Sequence, residues 1–460
     1  MANRTITGCY DPTSKTVLFI GEACDSGNYC GSYVATGEHA GMIAVTILEA
    51  NCDATYYACF DPITKTFKVD IPDDCCEIVT CGVCGEGAGA GTEANPYKIR
   101  TFEDLCLLMT TGSSSYWRLC NDIDADASSE LDGGAGWTPL NFYGQLNGCG
   151  YKISNLYINR PTTNGVGFIS GTYSAGGSGS VYNLGLANVS ITGRDDVGSF
   201  CGAIGYGSTI TNCYATGTVT GEDSVGGFCG INRGSATSCY FNGSVSGLYV
   251  VGGFQGQGGG TATSCYSMGS VSGTGYGIGG FIGLNAGTIS NCYSICSVSG
   301  GEEVGGFCGE NYNYEDSLIT SCFASGDVSS TDSISQIGGF CGYNDSLITN
   351  CYSEGNSTGI TYVGGFCGSN LDTITNCYSV GSVSGTSYVG GFSGRNYFGH
   401  ITSCYFLNTA GPDNSLGTPE TADQLAEEST YIDWNFGTIW TMCIVPECIP
   451  ILPYLRSFYE

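Results

Sequence analysis

The phrase VGGFCGSNLDTITNCYSVGSVSG (residues 363–385) recurs along this chain, and the recurrence constrains the fold more than any other feature. The Phe of Gly-(Gly/Ser)-Phe returns at Phe200, Phe228, Phe254, Phe281, Phe307, Phe340, Phe366 and Phe392, with Phe168 as a weaker first copy. A second landmark, Cys followed by an aromatic residue, returns at Cys213, Cys239, Cys265, Cys292, Cys322, Cys351, Cys377 and Cys404. The Phe spacing is 26 to 28 residues, with one step of 33. A fixed period of this size marks a solenoid, in which each unit buries its apolar face only against its neighbours. Each unit is a set of short β segments parted by Gly, Asn and Ser, with no helical pattern. The expectation is an all-β chain: a parallel β-solenoid of about 8–9 coils, with a small Cys-rich N-terminal β module and short capping helices.

The domain reading is as follows. Residues 1–86 form a Cys-rich anchoring module, 87–96 a Gly/Ala hinge, and 97–165 the N-terminal cap and first coils. Residues 166–408 are the repeat array, and 409–460 the C-terminal cap. The first module holds a degenerate duplication, GCYDPTSKTVLF (8–19) and ACFDPITKTFKV (58–69), read as a turn leading into a strand. Thr101 with Asp104 marks the start of a short helix. Thr418 as N-cap with Pro419 at the first helical position predicts a second helix, assigned with the Trp-rich tail to covering the open end.

Charge narrows the function. Thirteen Lys plus Arg against a net charge of −29 leave no material for a nucleic-acid or anionic-membrane surface. No run of 18 apolar residues is present, so no membrane insertion is expected. The first residues lack an apolar leader pattern, which predicts no secretory signal. The 28 cysteines nonetheless suit an exported protein. A particle component made in the cytoplasm and released later reconciles the two.

GGFCGxNxxxITNCYSxGSVSG resembles the GLUG repeat, and so do its flanks: GTEANPYKIRTFEDLCLL, GWTPL, FYGQLNGCGYKISNLYI and WNFGTIW. The resemblance spans about residues 92–456. It implies a β-helical rod found in large surface, adhesin-like and other extracellular proteins, not an enzyme. Residues 1–86 have no counterpart in it.

The candidate sites follow. The Phe column reads as an inward core stack. The aromatic column after Cys (Tyr214, Tyr240, Tyr266, Tyr293, Phe323, Tyr352, Tyr378, Tyr405) tolerates Phe, so stacked packing in the same core layer is expected. Asn212, Asn291, Asn350 and Asn376, alternating with Ser238, Ser264, Ser321 and Ser403, suggest side-chain ladders between coils. The repeat cysteines read as buried reduced thiols or as within-coil disulfides; Gln255, Ile282 and Ser393 at the first Cys site favour thiols, and no catalytic residues are assigned. Cys75, Cys76, Cys81 and Cys84 could hold structural zinc, or join Cys9, Cys24, Cys30, Cys52 and Cys59 in a disulfide knot, or do neither. NDIDADAS is a weak calcium candidate, and no other cofactor is expected. Asp195, Asp196, Glu222, Asp223, Glu302, Glu303 and Asp332 form a broken acidic stripe, read as a solvated edge rather than a glycan-cleaving groove. His39 and His400 carry no triad pattern.

The function these residues suggest is a non-enzymatic structural or attachment protein on a phage or virus particle, extracellular once released. Its partners would be other subunits of the particle or surface assembly, met through residues 1–86, and host glycan. A bacterial surface adhesin or filament subunit is the alternative, and a tailspike-like glycan hydrolase or lyase the third.

Overall fold

The computed structural model describes the backbone of six strands between residues 4 and 71, residues 87–442 apart from 112–113, 175–176 and 315–316, and residues 452–458. The chain divides into two units, Met1–Gly85 and Glu86–Glu460.

In the first unit six strands form one antiparallel sheet. The duplicated phrase is a duplicated hairpin. Arg4–Asp11 pairs with Thr16–Ile20, closing at Asp11↔Thr16, and Thr55–Asp61 pairs with Thr66–Ile71, closing at Asp61↔Thr66. Cys9, Cys30 and Cys59 lie on these strands. Cys75, Cys76, Cys81, Cys84 and His39 fall outside the described residues.

The second unit is a parallel β-solenoid of about eleven turns. Each coil from Asp195 onward contributes to four sheets, illustrated by one repeat: Thr361–Gly364 (the VG sheet), Cys367–Asn370 (the CGxN sheet), Thr373–Thr375 (the TIT sheet) and Tyr378–Ser379 with Val383–Ser384 (the YS sheet). The count exceeds the eight or nine landmarks because coils before Phe168 use other apolar residues. Trp117, Leu146 and Val181 stand in register below Ile210 in the TIT sheet. Residues 87–96, expected as a hinge, are a hydrogen-bonded turn within this unit: Ala90 N donates to Asn95 O at 2.9 Å and Lys98 N to Ala88 O at 3.0 Å.

The Phe column fills the core. From Phe200 to Phe392 every ring is fully buried and stacks on the next at centroid distances of 4.8–5.0 Å. The Gly-Gly before each Phe from Phe228 onward lets the coils approach. A Cβ on Gly280 would lie 2.0 Å from Gly306 O, and one on Gly306 2.1 Å from Gly339 O. The landmark cysteines are also buried, and all carry free thiols; Cys239 Sγ, for example, donates to Thr237 O at 3.2 Å. Cys120 and Cys149, which register places on successive coils, are both disulfide-bonded, a feature the repeat phrase did not foretell.

The expected Asn/Ser ladder gives way to one at another position. Asn212, Asn291, Asn350 and Asn376, with their Ser equivalents, hold φ of 50–55°. They turn the chain through the left-handed region, which Asn tolerates better than most residues. The continuous side-chain ladder runs instead through the Asn of Cys-Gly-x-Asn. Asn285 Nδ2 donates to Asn311 Oδ1 at 2.9 Å, Asn311 to Asn344 at 2.8 Å, Asn344 to Asn370 at 2.8 Å, and Asn370 to Asn396 at 2.9 Å. Two coils lack this Asn, having Ile204 and Gly258. In the coil of Gly258, Gln255 at the Cys position supplies an amide, and its Oε1 accepts from Asn232 Nδ2 at 3.2 Å.

The ends are closed separately. Helix α1 (Phe102–Thr111) buries Leu105 and Leu108 against the first coils, with Thr101 Oγ1 accepting from Asp104 N. At the other end Thr418–Glu420 is not a helix start but an edge strand beside Tyr405–Leu407, with Pro419 opposite Phe406. Proline suits an edge because it owes the ladder no donor. Helix α2 (Ala422–Leu425) begins after it, capped by Thr421 and Gln424.

Candidate functional site

Consecutive residues on a strand face opposite ways, so an inward Cys forces the next residue outward. The aromatic column therefore lies on the outside of the YS sheet, not in the core layer with Phe and Cys. Tyr214, Tyr240, Tyr266, Tyr293, Phe323, Tyr352 and Tyr378 stack at 4.7–5.1 Å with planes within 8°. Burial by neighbouring rungs raises the Tyr214, Tyr240 and Tyr266 hydroxyls above their ordinary value.

The C-terminal tail lies across this ladder rather than only over the open end. Trp440 packs on Tyr352 and Tyr378, both at 6.2 Å, and Trp434 on Tyr405 at 6.0 Å. Tyr378 Oη donates to Pro453 O at 3.0 Å. Leu425, Leu452 and Leu455 complete a small second core there. Residues near 412–417 meet the last coil: Gly391 N donates to Pro412 O at 2.8 Å and Asn414 Nδ2 to Ser393 O at 2.8 Å.

A second outer feature lies where the VG and CGxN sheets meet. The x of Cys-Gly-x-Asn differs in every coil: Gln257, Leu284, Glu310, Tyr343 and Arg395 are half-buried, and Ala203, Ile231 and Ser369 are buried. Glu310, Tyr343 and Arg395 were not singled out in the sequence; a constant position with unlike occupants was the available signal. Arg395 stacks its guanidinium over Tyr362 at 4.0 Å and Tyr397 at 3.7 Å. Glu303 Oε2, Gln336 Oε1 and Ser369 Oγ are buried on this side without a hydrogen-bond partner among the described residues.

Glu303 is the perturbed group of this face. Burial first, then the charges of Glu310 and Glu302, pushes its carboxyl up to about 7. Burial likewise raises Glu310. The unfolded chain ionises Glu303 near its ordinary 4.5, whereas the folded chain does so only near 7. Between those values the folded state holds more protons, so stability falls as pH rises through that window and levels off above it. Glu303→Gln removes this slope, and Gln336 already occupies the same register one coil on. Thermal melts should show the variant matching the parent near the bottom of the window and exceeding it above the top, by on the order of 2 kcal/mol.

The remaining candidates are spread out. Asp195 and Asp223 are register partners on adjacent coils. Glu302 lies in the same column three coils beyond Asp223, roughly 14 Å at the usual strand spacing. That exceeds the ~5–9.5 Å of paired glycosidase carboxylates. Asp196 is raised by burial and by Asp195, and Glu222 and Asp332 are exposed. In NDIDADAS, Asp122 accepts from Lys152 N and Asp124 from Asp126 N and Asn155, so both are engaged in turn and inter-coil bonds. Among the described residues no three His, Cys, Asp or Glu are grouped to hold a metal. His400 is exposed on a TIT strand.

These outer ladders on an apolar core define a repeat parallel β-solenoid. Four segments of the chain, residues 193–220, 300–329, 333–358 and 359–384, match the family model described as the GLUG motif. Halomucin of Haloquadratum walsbyi is 36% identical over 133 residues, 26% of this chain and 1% of that protein. A protein of Evansella cellulosilytica, provisionally described as a Gly-rich membrane protein, is 36% identical over 110 residues, 23% of this chain and 12% of its own length. The chain thus matches only a small part of either relative. Among solved structures, a Bacteroides ovatus protein provisionally described as an immunoglobulin A1 protease aligns over 82% of this chain and 96% of its own, at 18% identity and a TM-score of 0.37. An IgA1 protease aligns over 88% of this chain and 29% of its own, at 14% identity and the same TM-score. Among the described residues no helix is long and apolar enough to cross a membrane.

Proposed function

We propose that this chain is a non-enzymatic structural and attachment protein on the surface of a phage or virus particle, serving as a decoration, fibre or spike. Residues 1–86 join it to the assembly, and the solenoid offers its outer columns to host glycan or to a neighbouring subunit. The observation that carries this reading is the contrast between faces. The inward Phe and Cys columns repeat coil after coil, while the x column, half-buried at Leu284, Glu310, Tyr343 and Arg395, does not repeat. A stacked core needs sameness; a surface that recognises something needs differences. Antibody raised to the solenoid should decorate purified particles by immunogold microscopy. Label confined to uninfected cells would overturn the particle assignment and favour the surface adhesin, a reading supported by the relative described as a membrane protein. Polysaccharide cleavage that vanishes in Glu303→Gln would move the chain to the glycan-cleaving class, which the raised Glu303 beside Glu310 keeps open to test.

A further inference from the structure

The covered half of the aromatic ladder shows what its uncovered half can hold. Phe458 stands across two rungs, 5.6 Å from Tyr293 and 5.1 Å from Phe323, with its plane at 87° and 88° to theirs. Ring edges carry partial positive charge and ring faces negative, so Phe458 meets two outward edges in the attractive T-shaped arrangement.

The same ladder continues past Tyr293. Tyr266, Tyr240 and Tyr214 follow at 4.7, 4.7 and 5.1 Å with nearly parallel planes. All three are half-buried, and no ring of the described tail reaches them. At one end the position beside the rungs is apolar: Met268 and its register partner Ile295 lie two residues beyond Tyr266 and Tyr293 on the same outer face, while Asn242 and Thr216 hold that position beside Tyr240 and Tyr214. The faces of the tyrosine rings cover one another, so a sugar finds no free face to stack on. Only edges and hydroxyls point outward. A line of ring edges with Met268 and Ile295 at one end suits an aromatic ring laid across two rungs, with aliphatic neighbours over Met268 and Ile295.

We propose that Tyr214, Tyr240 and Tyr266 form a docking strip for an aromatic-bearing segment of a neighbouring protein subunit, seated as the chain's own Phe458 is seated. The strip is continuous with the tail interface, and the tail itself supplies the chemistry of the occupant. The inference rests on the reading above only in calling the neighbour a subunit of an assembly.

The probe is a fluorescent synthetic peptide of residues 452–458, Leu-Pro-Tyr-Leu-Arg-Ser-Phe, titrated into the full chain and followed by anisotropy. Saturable binding is expected. It should weaken about 3- to 10-fold when the peptide's Phe is replaced by Ala, and similarly in Tyr240→Ala. Tyr240→Phe should bind as the parent does. Met268→Glu keeps every ring in place and should also weaken binding, which separates loss of the strip from loss of folding. No saturable binding, or binding indifferent to Met268→Glu and to the peptide's Phe, overturns the proposal. Displacement of the peptide by oligosaccharide, with no effect of the Phe replacement, would reassign the strip to glycan. Failure here leaves the particle-labelling result unaffected, so the two readings fall separately.

Discussion

Phe307→Ala should destabilise the solenoid by about 3–5 kcal/mol, the range for emptying a fully buried aromatic site. Phe307 is completely buried, with Phe281 stacked 4.9 Å to one side and Phe340 4.8 Å to the other, both planes within 4°. Removing the ring takes away its own apolar burial and one face of each neighbour's stack. Collapse cannot fill the gap, because the Gly-Gly backbone on that wall is already as close as a bare Cα allows. A Cβ on Gly305 would sit 1.9 Å from Cys308 O. In a stacked array stability is a sum over neighbouring units, so a central defect uncouples what lies on either side. Urea denaturation followed by tyrosine fluorescence should show a lower midpoint and a broadened or split transition. Phe398→Ala, at a ring 88% exposed, should leave the curve unchanged.

How much of this was legible in the sequence depends on what each residue answers to. The Phe period was plain because one inward position per coil must hold the same shape in every coil. The coil number was underestimated because Trp117 and Leu146 do that work without the landmark. The aromatic column was located but placed inside, although strand alternation alone puts Tyr378 opposite to Cys377. Asn376 misled for a physical reason. Asn is both a ladder-former and the side chain most at ease at positive φ, and its φ of 55° shows which property is used. The exchange between Gln255 and Gly258 could not be read from either position alone, since each looks like a lapse from the repeat. Only their proximity, with a Cβ on Gly258 falling 2.3 Å from Gln255 Nε2, makes them one substitution. The tail was harder still. Nothing local in WNFGTIW says whether its rings close an end or lie along a side; that is decided by an outer ladder assembled from five different coils.

The amide ladder carries the other large expected effect. Asn311→Val should cost roughly 2–5 kcal/mol, although the substitution keeps similar bulk and adds apolar surface to a buried site. Asn311 is fully buried and is both acceptor and donor: it takes Asn285 Nδ2 at 2.9 Å and gives to Asn344 Oδ1 at 2.8 Å. Valine returns neither bond. Asn344 Oδ1 then faces the core without that donor, and an unmet buried carbonyl costs about 1–3 kcal/mol. Asn285 Nδ2 suffers less, because it also donates to Gly287 O at 3.2 Å. The loss is therefore directional, heavier on the C-terminal side. Hydrogen exchange should register it as faster opening in the coil of Asn344 than in that of Asn285. Asn311→Gln tests the same point from the other side. In the coil of Gly258 a glutamine amide takes the bond from Asn232 only because that coil lacks the Cβ that would obstruct it. At position 311 the glutamine has no such vacancy and should recover at most a small part of the loss.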